Sequence, residues 1–155
     1  MVDVGETAPD FTLPNERNEE VTLSKELVSG PIVLSWYVLD FTRVCTTQSC
    51  ALRDEMEALQ SLGAKVFGIS CDSPASHRVF KATNQLNYPL LSDWGGYVSE
   101  RYGVLYETWG KLRRVSKRAV FVLDREGVVR YQWVTEDAGV APDVRAVAAE
   151  VRKLA

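Results

Sequence analysis

The longest apolar run of the chain, PIVLSWYVL at 31–39, is interrupted only at Ser35. A run that does not alternate and is too short for a helix predicts a strand over 31–37, buried on both faces of a mixed or parallel sheet. AKVFGIS at 64–70 has the same character and predicts a second such strand. Between them the period changes. Leu52, Met56 and Leu59 follow helical spacing, which predicts a helix from about Val44 to Leu62 with Gly63 ending it. Ser73-Pro74 then opens a helix to about Asn84, with Ser73 as N-cap and Pro74 in its first turn. YPLLSD at 88–93 reads as a short extended piece, and 96–102 as a short helix.

The ends of the chain complete the pattern. APDFTLPNERNEEVTL reads as two short strands around a Pro-Asn-Glu-Arg-Asn turn. RAVFVLD (118–124) and VVRYQWV (128–134) flank Arg125-Glu126-Gly127, a hairpin signal. Pro142 is expected to open a last helix whose Val144, Val147, Ala148, Val151 and Leu154 form one face. Strand, helix, strand, helix, hairpin, helix predicts an α/β fold, a three-layer α/β/α sandwich with a central mixed β-sheet. No repeat or linker divides the chain, so residues 1–155 are expected to form one domain.

Composition narrows the function classes. At 155 residues, 46% hydrophobic and 25% charged, the chain has the make-up of a globular domain with a real core. A formal net charge of -3 gives no reason to expect nucleic acid or an anionic membrane as partner. The 31–39 run is far below membrane-spanning length. MVDVGETAPDF has no basic segment followed by an apolar one, so no secretory signal and a cytoplasmic location are expected. In a reducing cytoplasm a disulfide is more readily transient and catalytic than structural.

Two of the three cysteines lie in FTRVCTTQSC, 41–50. Their spacing is neither C-x-x-C nor part of a disulfide framework. Cys45 falls where the first buried strand hands over to a helix, in the expected first turn. Free backbone N–H groups and the positive end of the helix dipole favour a thiolate there. Thr42, three residues earlier, can offer a hydroxyl to the sulfur or to a ligand. The competing reading is an inert buried cysteine. Five helical residues separate Cα atoms by roughly 8–9 Å and turn them about 140° apart. A disulfide tolerates at most about 7 Å. If both cysteines are helical, Cys45 and Cys50 cannot bond until the helix unwinds; alternatively, Cys50 is a core residue. A zinc-like quartet of Cys45, Cys50, Cys71 and His77 is a further alternative. Against it, Cys50 lies within a predicted helix, Cys71 reads as a core strand-end residue and His77 as an exposed helix residue.

These residues carry a resemblance. VGETAPDFTLPN, DFTRVCTTQSCALRDEM, GISCDSPASH, YPLLSD and KRAVFVLDREGVVR occur in this order. The chain resembles a peroxiredoxin of the bacterioferritin-comigratory-protein (PrxQ) type in the AhpC/TSA superfamily. The resemblance implies a thioredoxin-like fold and reduction of hydrogen peroxide and organic hydroperoxides. It implies that Cys45 is the peroxidatic cysteine, Cys50 the resolving one, and Arg118 the arginine beside the thiolate. Thr42 stands at the family's threonine. Without the resemblance, KLRRVSKR around Arg118 favours a surface arginine at a strand end. Thioredoxin or a similar dithiol is the implied reductant, because the chain has no C-x-x-C of its own. No metal, flavin or haem motif is present, so no cofactor is expected. The group is often monomeric, so a monomer or a weak dimer is expected. A redox-sensing interaction protein using the same cysteine switch is the rival function.

The sequence departs from the family pattern twice. Val38 stands where the family has proline, and Arg43 where proline is usual. Arg43 opposes the helix dipole and is expected to reach solvent, with support of the thiolate as the alternative reading. The aromatics of WGGY (94–97) and YGVLYETWG (102–110) are candidates for lining an entrance or a contact surface.

Overall fold

A computed structural model describes residues 1–155. A five-stranded sheet forms its centre. The strands are β3 (Ile32–Trp36), β4 (Lys65–Ser70), β5 (Leu90–Ser92), β8 (Arg118–Leu123) and β9 (Val129–Thr135). β3 runs parallel to β4, β4 parallel to β5, and β8 antiparallel to both β3 and β9, so the sheet is mixed. Two small antiparallel ribbons flank it: β1 (Thr12–Pro14) with β2 (Glu20–Thr22), and β6 (Leu105–Trp109) with β7 (Leu112–Ser116). The helices are α1 (Leu23–Glu26), α2 (Arg43–Ser61), α3 (Pro74–Asn84), α4 (Tyr97–Tyr102) and α5 (Val144–Arg152).

The unbroken apolar strands are explained by the two faces of the sheet. Val33 and Tyr37 of the β3 segment and Val120 and Val122 of β8 pack with Cys45, Leu52, Met56 and Leu59 of α2 and Val147 and Val151 of α5. Ile32, Leu34 and Trp36, with Ala119, Phe121 and Leu123, pack on the other side with Phe11, Leu23, Val98 and Tyr102. Successive strand side chains point to opposite faces, and here both faces are covered. α2, α5 and α4 thus enclose the sheet in three layers.

The predicted elements match the observed ones closely, apart from the unpredicted short helix α1 and three further differences. The β6–β7 ribbon escapes the hydrophobic pattern because its Glu107, Thr108, Leu112 and Arg113 are exposed. α5 begins after Asp143, whose carboxylate accepts from the N–H groups of Arg145 and Ala146, so Pro142 precedes the cap instead of opening the helix. His77 is fully buried, not exposed, because α3 turns both it and Phe80 inward.

Register places one candidate side chain directly. Trp36 pairs with Ala119 across the antiparallel β3–β8 ladder. Arg118 is therefore level with Tyr37, where β3 ends and the chain enters the Cys45 segment. It shares the parity of Val120 and Val122, and so points toward α2.

Candidate active site

Residues 37–42 connect β3 to α2, and buried polar groups hold this turn in place. The Asp40 carboxylate accepts from the Tyr37 hydroxyl at 2.6 Å and the Ser76 hydroxyl at 2.8 Å. The Asp40 N–H donates to Asp72 Oδ2 at 2.9 Å. His77 Nδ1 lies 2.9 Å from Asp40 Oδ2, and its Nε2 lies 2.9 Å from the Leu91 carbonyl. Oxygen atoms thus lie within hydrogen-bond distance of both ring nitrogens. Phe41 then takes a left-handed φ of 68°, a strained position for an aromatic residue, worth about 1–2 kcal/mol. Its ring packs edge-on against Phe80. This sharp turn delivers Thr42 to the N-cap of α2.

Thr42 does not cap the helix with its side chain. Its hydroxyl donates to the Leu39 carbonyl at 2.9 Å. The proton is thus committed, and the oxygen faces the site as an acceptor, not as the donor expected from sequence. The N–H groups of Arg43, Val44 and Cys45 make no hydrogen bond within the protein. Such unpaired N–H groups at a helix start attract negative charge.

Cys45 is fully buried in the third position of this helix. Arg118 Nη1 donates to its Sγ at 3.1 Å and to Gln48 Oε1 at 2.9 Å. Arg118 Nε and Nη2 donate to the Ala138 carbonyl at 3.2 and 2.7 Å. Gln48 is itself fixed, its amide donating to Ser35 Oγ at 2.8 Å and to the Trp36 carbonyl at 3.1 Å. Arg118 is 2% exposed and pairs with no carboxylate. A buried cation is costly without a counter-charge. Among the groups touching this guanidinium, the Cys45 sulfur alone can become an anion. The reading of Arg118 as a surface residue does not hold.

Above the sulfur is a cleft of about 230 Å³ bordered by Val38, Thr42, Val44, Trp109 and Gly139. Trp109 comes from the β6–β7 ribbon, within the aromatic stretch proposed as an entrance. Arg43 also borders the cleft, and its side chain is exposed. A larger cleft of about 380 Å³, beside Met56, Phe67 and Tyr88, contains no thiol, so size does not mark the site.

The other cysteines lie elsewhere. Cys50 is half-buried on a different face of α2, its Sγ 3.9 Å from Asn84 Oδ1. Both thiols of α2 are free in the intact helix. Cys71 follows β4. Burial first, and the nearby Asp93 carboxylate second, push its thiol up to about 11. The zinc-like quartet does not assemble, because His77 is engaged by Asp40 and Leu91. Asp40, Asp72 and His77 do bring ligand-type atoms within 4.8 Å of one another, but these atoms already serve the turn.

The signature of the AhpC/TSA family matches residues 4–132. The chain belongs to this family. It is 42% identical over 130 residues to "Peroxiredoxin Q, chloroplastic" of Oryza sativa subsp. japonica, covering 84% of this chain and 58% of that one. A Coxiella burnetii protein named as a peroxiredoxin, bcp, is 37% identical over 134 residues, covering 85% of this chain and 88% of that one. The crystal structure of peroxidoxin BcpB from Mycobacterium tuberculosis superposes with a TM-score of 0.90 at 31% identity, over 100% of this chain and 99% of that one. The fold is thioredoxin-like. The chain spans 58% of the length of the plant relatives it matches. No helix is long and apolar enough to cross a membrane.

Gln48 and the Ala138 carbonyl were not expected in the site. Gln48 carried a signal: Cys45, Gln48, Leu52, Met56 and Leu59 form one buried stripe of α2, and a lone amide on such a stripe needs partners. Ala138 carried none, since only the fold brings its carbonyl to Arg118.

Proposed function

We propose that this chain is a thiol peroxidase that reduces hydrogen peroxide and organic hydroperoxides. One observation carries the reading. Arg118, buried and without an acid partner, donates to the Cys45 sulfur at 3.1 Å beneath an open cleft.

The Cys45 thiolate attacks one peroxide oxygen in line, and the O–O bond breaks as the S–O bond forms. The other oxygen leaves as hydroxide or alkoxide and takes up a proton. Ionisation alone raises the reactive fraction of a thiol at neutral pH from about 3% to near unity, roughly thirtyfold. A more acidic thiol is also a weaker nucleophile. The remaining acceleration comes from groups aimed at the oxygens as charge leaves the sulfur. Arg118 and the free N–H groups of Val44 and Cys45 are the donors. Thr42 Oγ1 accepts a hydrogen bond from the peroxide O–H, which orients it while the proton stays on the oxygen transferred to sulfur.

The product is a Cys45 sulfenic acid. Cys50 condenses with it, releasing water and forming the Cys45–Cys50 disulfide. An external dithiol such as thioredoxin then reduces this bond. Both cysteines lie in one helix of one chain, so the cycle needs no second copy, and we infer a working monomer. Three free thiols suit a reducing compartment such as the cytoplasm. Multiple turnovers of peroxide with thioredoxin and its reductase are expected. A redox sensor would stop after one equivalent.

Val38 borders the cleft and is 1% exposed. Its N–H makes no hydrogen bond within the protein, so proline removes nothing the fold uses. Val38→Pro is expected to fold with a Tm within about 3 °C of wild type or higher. It is also expected to lower over-oxidation of Cys45 by shielding the sulfur. Thermal unfolding checks the first expectation; loss of folding would mean that residue 38 follows a path closed to proline.

A further inference from the structure

The cysteine pair poses a mechanical problem. Cys45 and Cys50 are held in one continuous helix, and their bond cannot form until the turns between them open. What holds those turns closed decides how fast the sulfenic acid is resolved. The inner stripe of α2 is fixed through Cys45, Gln48 and Leu52, as in any amphipathic helix. The side bearing Ser49, Cys50 and Arg53 meets a different structure, the segment 84–88 that leads from α3 to β5.

Beside the long 3.9 Å contact of Cys50 Sγ with Asn84 Oδ1, three shorter hydrogen bonds join the two segments. The Tyr88 hydroxyl donates to the Ser49 carbonyl at 2.8 Å. Arg53 Nη1 donates to the Asn84 carbonyl at 2.8 Å. Asn87 Nδ2 donates to the Arg53 carbonyl at 3.3 Å. The Tyr88 bond differs in kind from the other two. Its ring is 2% exposed and lies over Gly68, where a Cβ would come within 3.3 Å of the ring and 2.7 Å of Leu90. The hydroxyl therefore cannot swing away with the helix. Burial raises the Tyr88 phenol well above its ordinary value, so it stays a donor at working pH. When the turn around Ser49 unwinds, a buried hydroxyl loses its partner, which is costly.

We infer that segment 84–88 is a clasp on the reactive helix, and that Tyr88, through the Ser49 carbonyl, is a positioning residue that slows the unwinding. This rests on the peroxidase reading above. The sulfenic acid has two fates. It condenses with the Cys50 thiol, losing water and forming the disulfide, or it is oxidised by a second hydroperoxide to the sulfinic acid, releasing water or alcohol. A helix held closed delays the first fate and leaves more time for the second. The clasp thus sets the peroxide concentration at which the protein inactivates itself.

Tyr88→Phe keeps the ring and removes only the hydroxyl. The first oxidation of Cys45 by hydrogen peroxide is expected to keep its rate within twofold. Closure of the Cys45–Cys50 bond, followed by quench and mass spectrometry, is expected to be about fivefold faster. The sulfinic fraction at a given excess of peroxide falls accordingly. Asn87→Ala, an exposed change that spares the core, should move closure the same way by less. Hydrogen exchange of amides 45–53 in the reduced protein decides the point without any chemistry at sulfur, and faster exchange in Tyr88→Phe is expected. Unchanged exchange and an unchanged closure rate in Tyr88→Phe would overturn the clasp. A wild type that forms no disulfide with peroxide would overturn the peroxidase reading, while the exchange comparison would still test the clasp.

Discussion

Cys45→Ser is expected to reduce thioredoxin-dependent peroxide consumption to the uncatalysed background, while Cys71→Ser keeps most of the wild-type rate. The two thiols differ in their surroundings, not in burial. Both border a cleft, but Cys45 alone has an unpaired guanidinium at 3.1 Å and free helix N–H groups beside it. The Cys71 thiol is pushed up to about 11 by burial and the Asp93 carboxylate. At neutral pH it therefore stays protonated, and the thiol form is a poor nucleophile. A serine hydroxyl at 45 fits the space but does not ionise in the working range. Steady-state consumption assays on both variants check this, and an active Cys45→Ser would remove the central assignment.

The second large effect is at Arg118. Arg118→Ala is expected to lower the second-order rate of Cys45 oxidation by about 10²–10³, the usual loss for a donor aimed at developing charge. It should also shift the pH–rate profile to higher pH, because the positive charge beside the sulfur is gone. Arg118→Lys separates the two roles. A lysine keeps the charge, but it cannot hold Gln48, Ala138 and the sulfur together as the planar fork does. The pH profile should therefore recover further than the rate. Stopped-flow oxidation across pH measures both quantities. A merely structural arginine would alter stability and leave the profile of the folded protein in place.

The parts of this account that were legible in the sequence share a physical cause. Strand 32–36 and helix 43–61 were readable because their patterns are local: an apolar run buried on both faces, and an inward stripe at helical period. The place of Cys45 in the first helical turn followed from that handover. Other features depend on distant chain segments. Arg118 looked like a surface residue because its immediate neighbours Lys111, Arg113, Arg114 and Lys117 are polar, whereas its burial arises from pairing β8 with β3. His77 reads as exposed until Asp40 and Leu91 surround it. The β6–β7 ribbon, which supplies Trp109 to the cleft, has too few buried positions to leave a pattern. The resemblance supplied Arg118 and Cys50 where the local reading left each with alternatives. It did not supply Gln48, the Ala138 carbonyl or the Tyr88 contact, which appear only once the helices are packed.

The central claim is that one helix carries both steps, with Cys45 meeting the peroxide and Cys50 resolving it. Peptide mass spectrometry tests this most directly, after one equivalent of hydrogen peroxide is added to the reduced protein and to Cys50→Ser, with free thiols then blocked. The expected result is an intramolecular Cys45–Cys50 disulfide in the wild type and a sulfenic acid trapped at Cys45 in Cys50→Ser, with Cys71 alkylated as a free thiol in both. Oxidation first at Cys50 or Cys71, with Cys45 recovered as a free thiol, would contradict it.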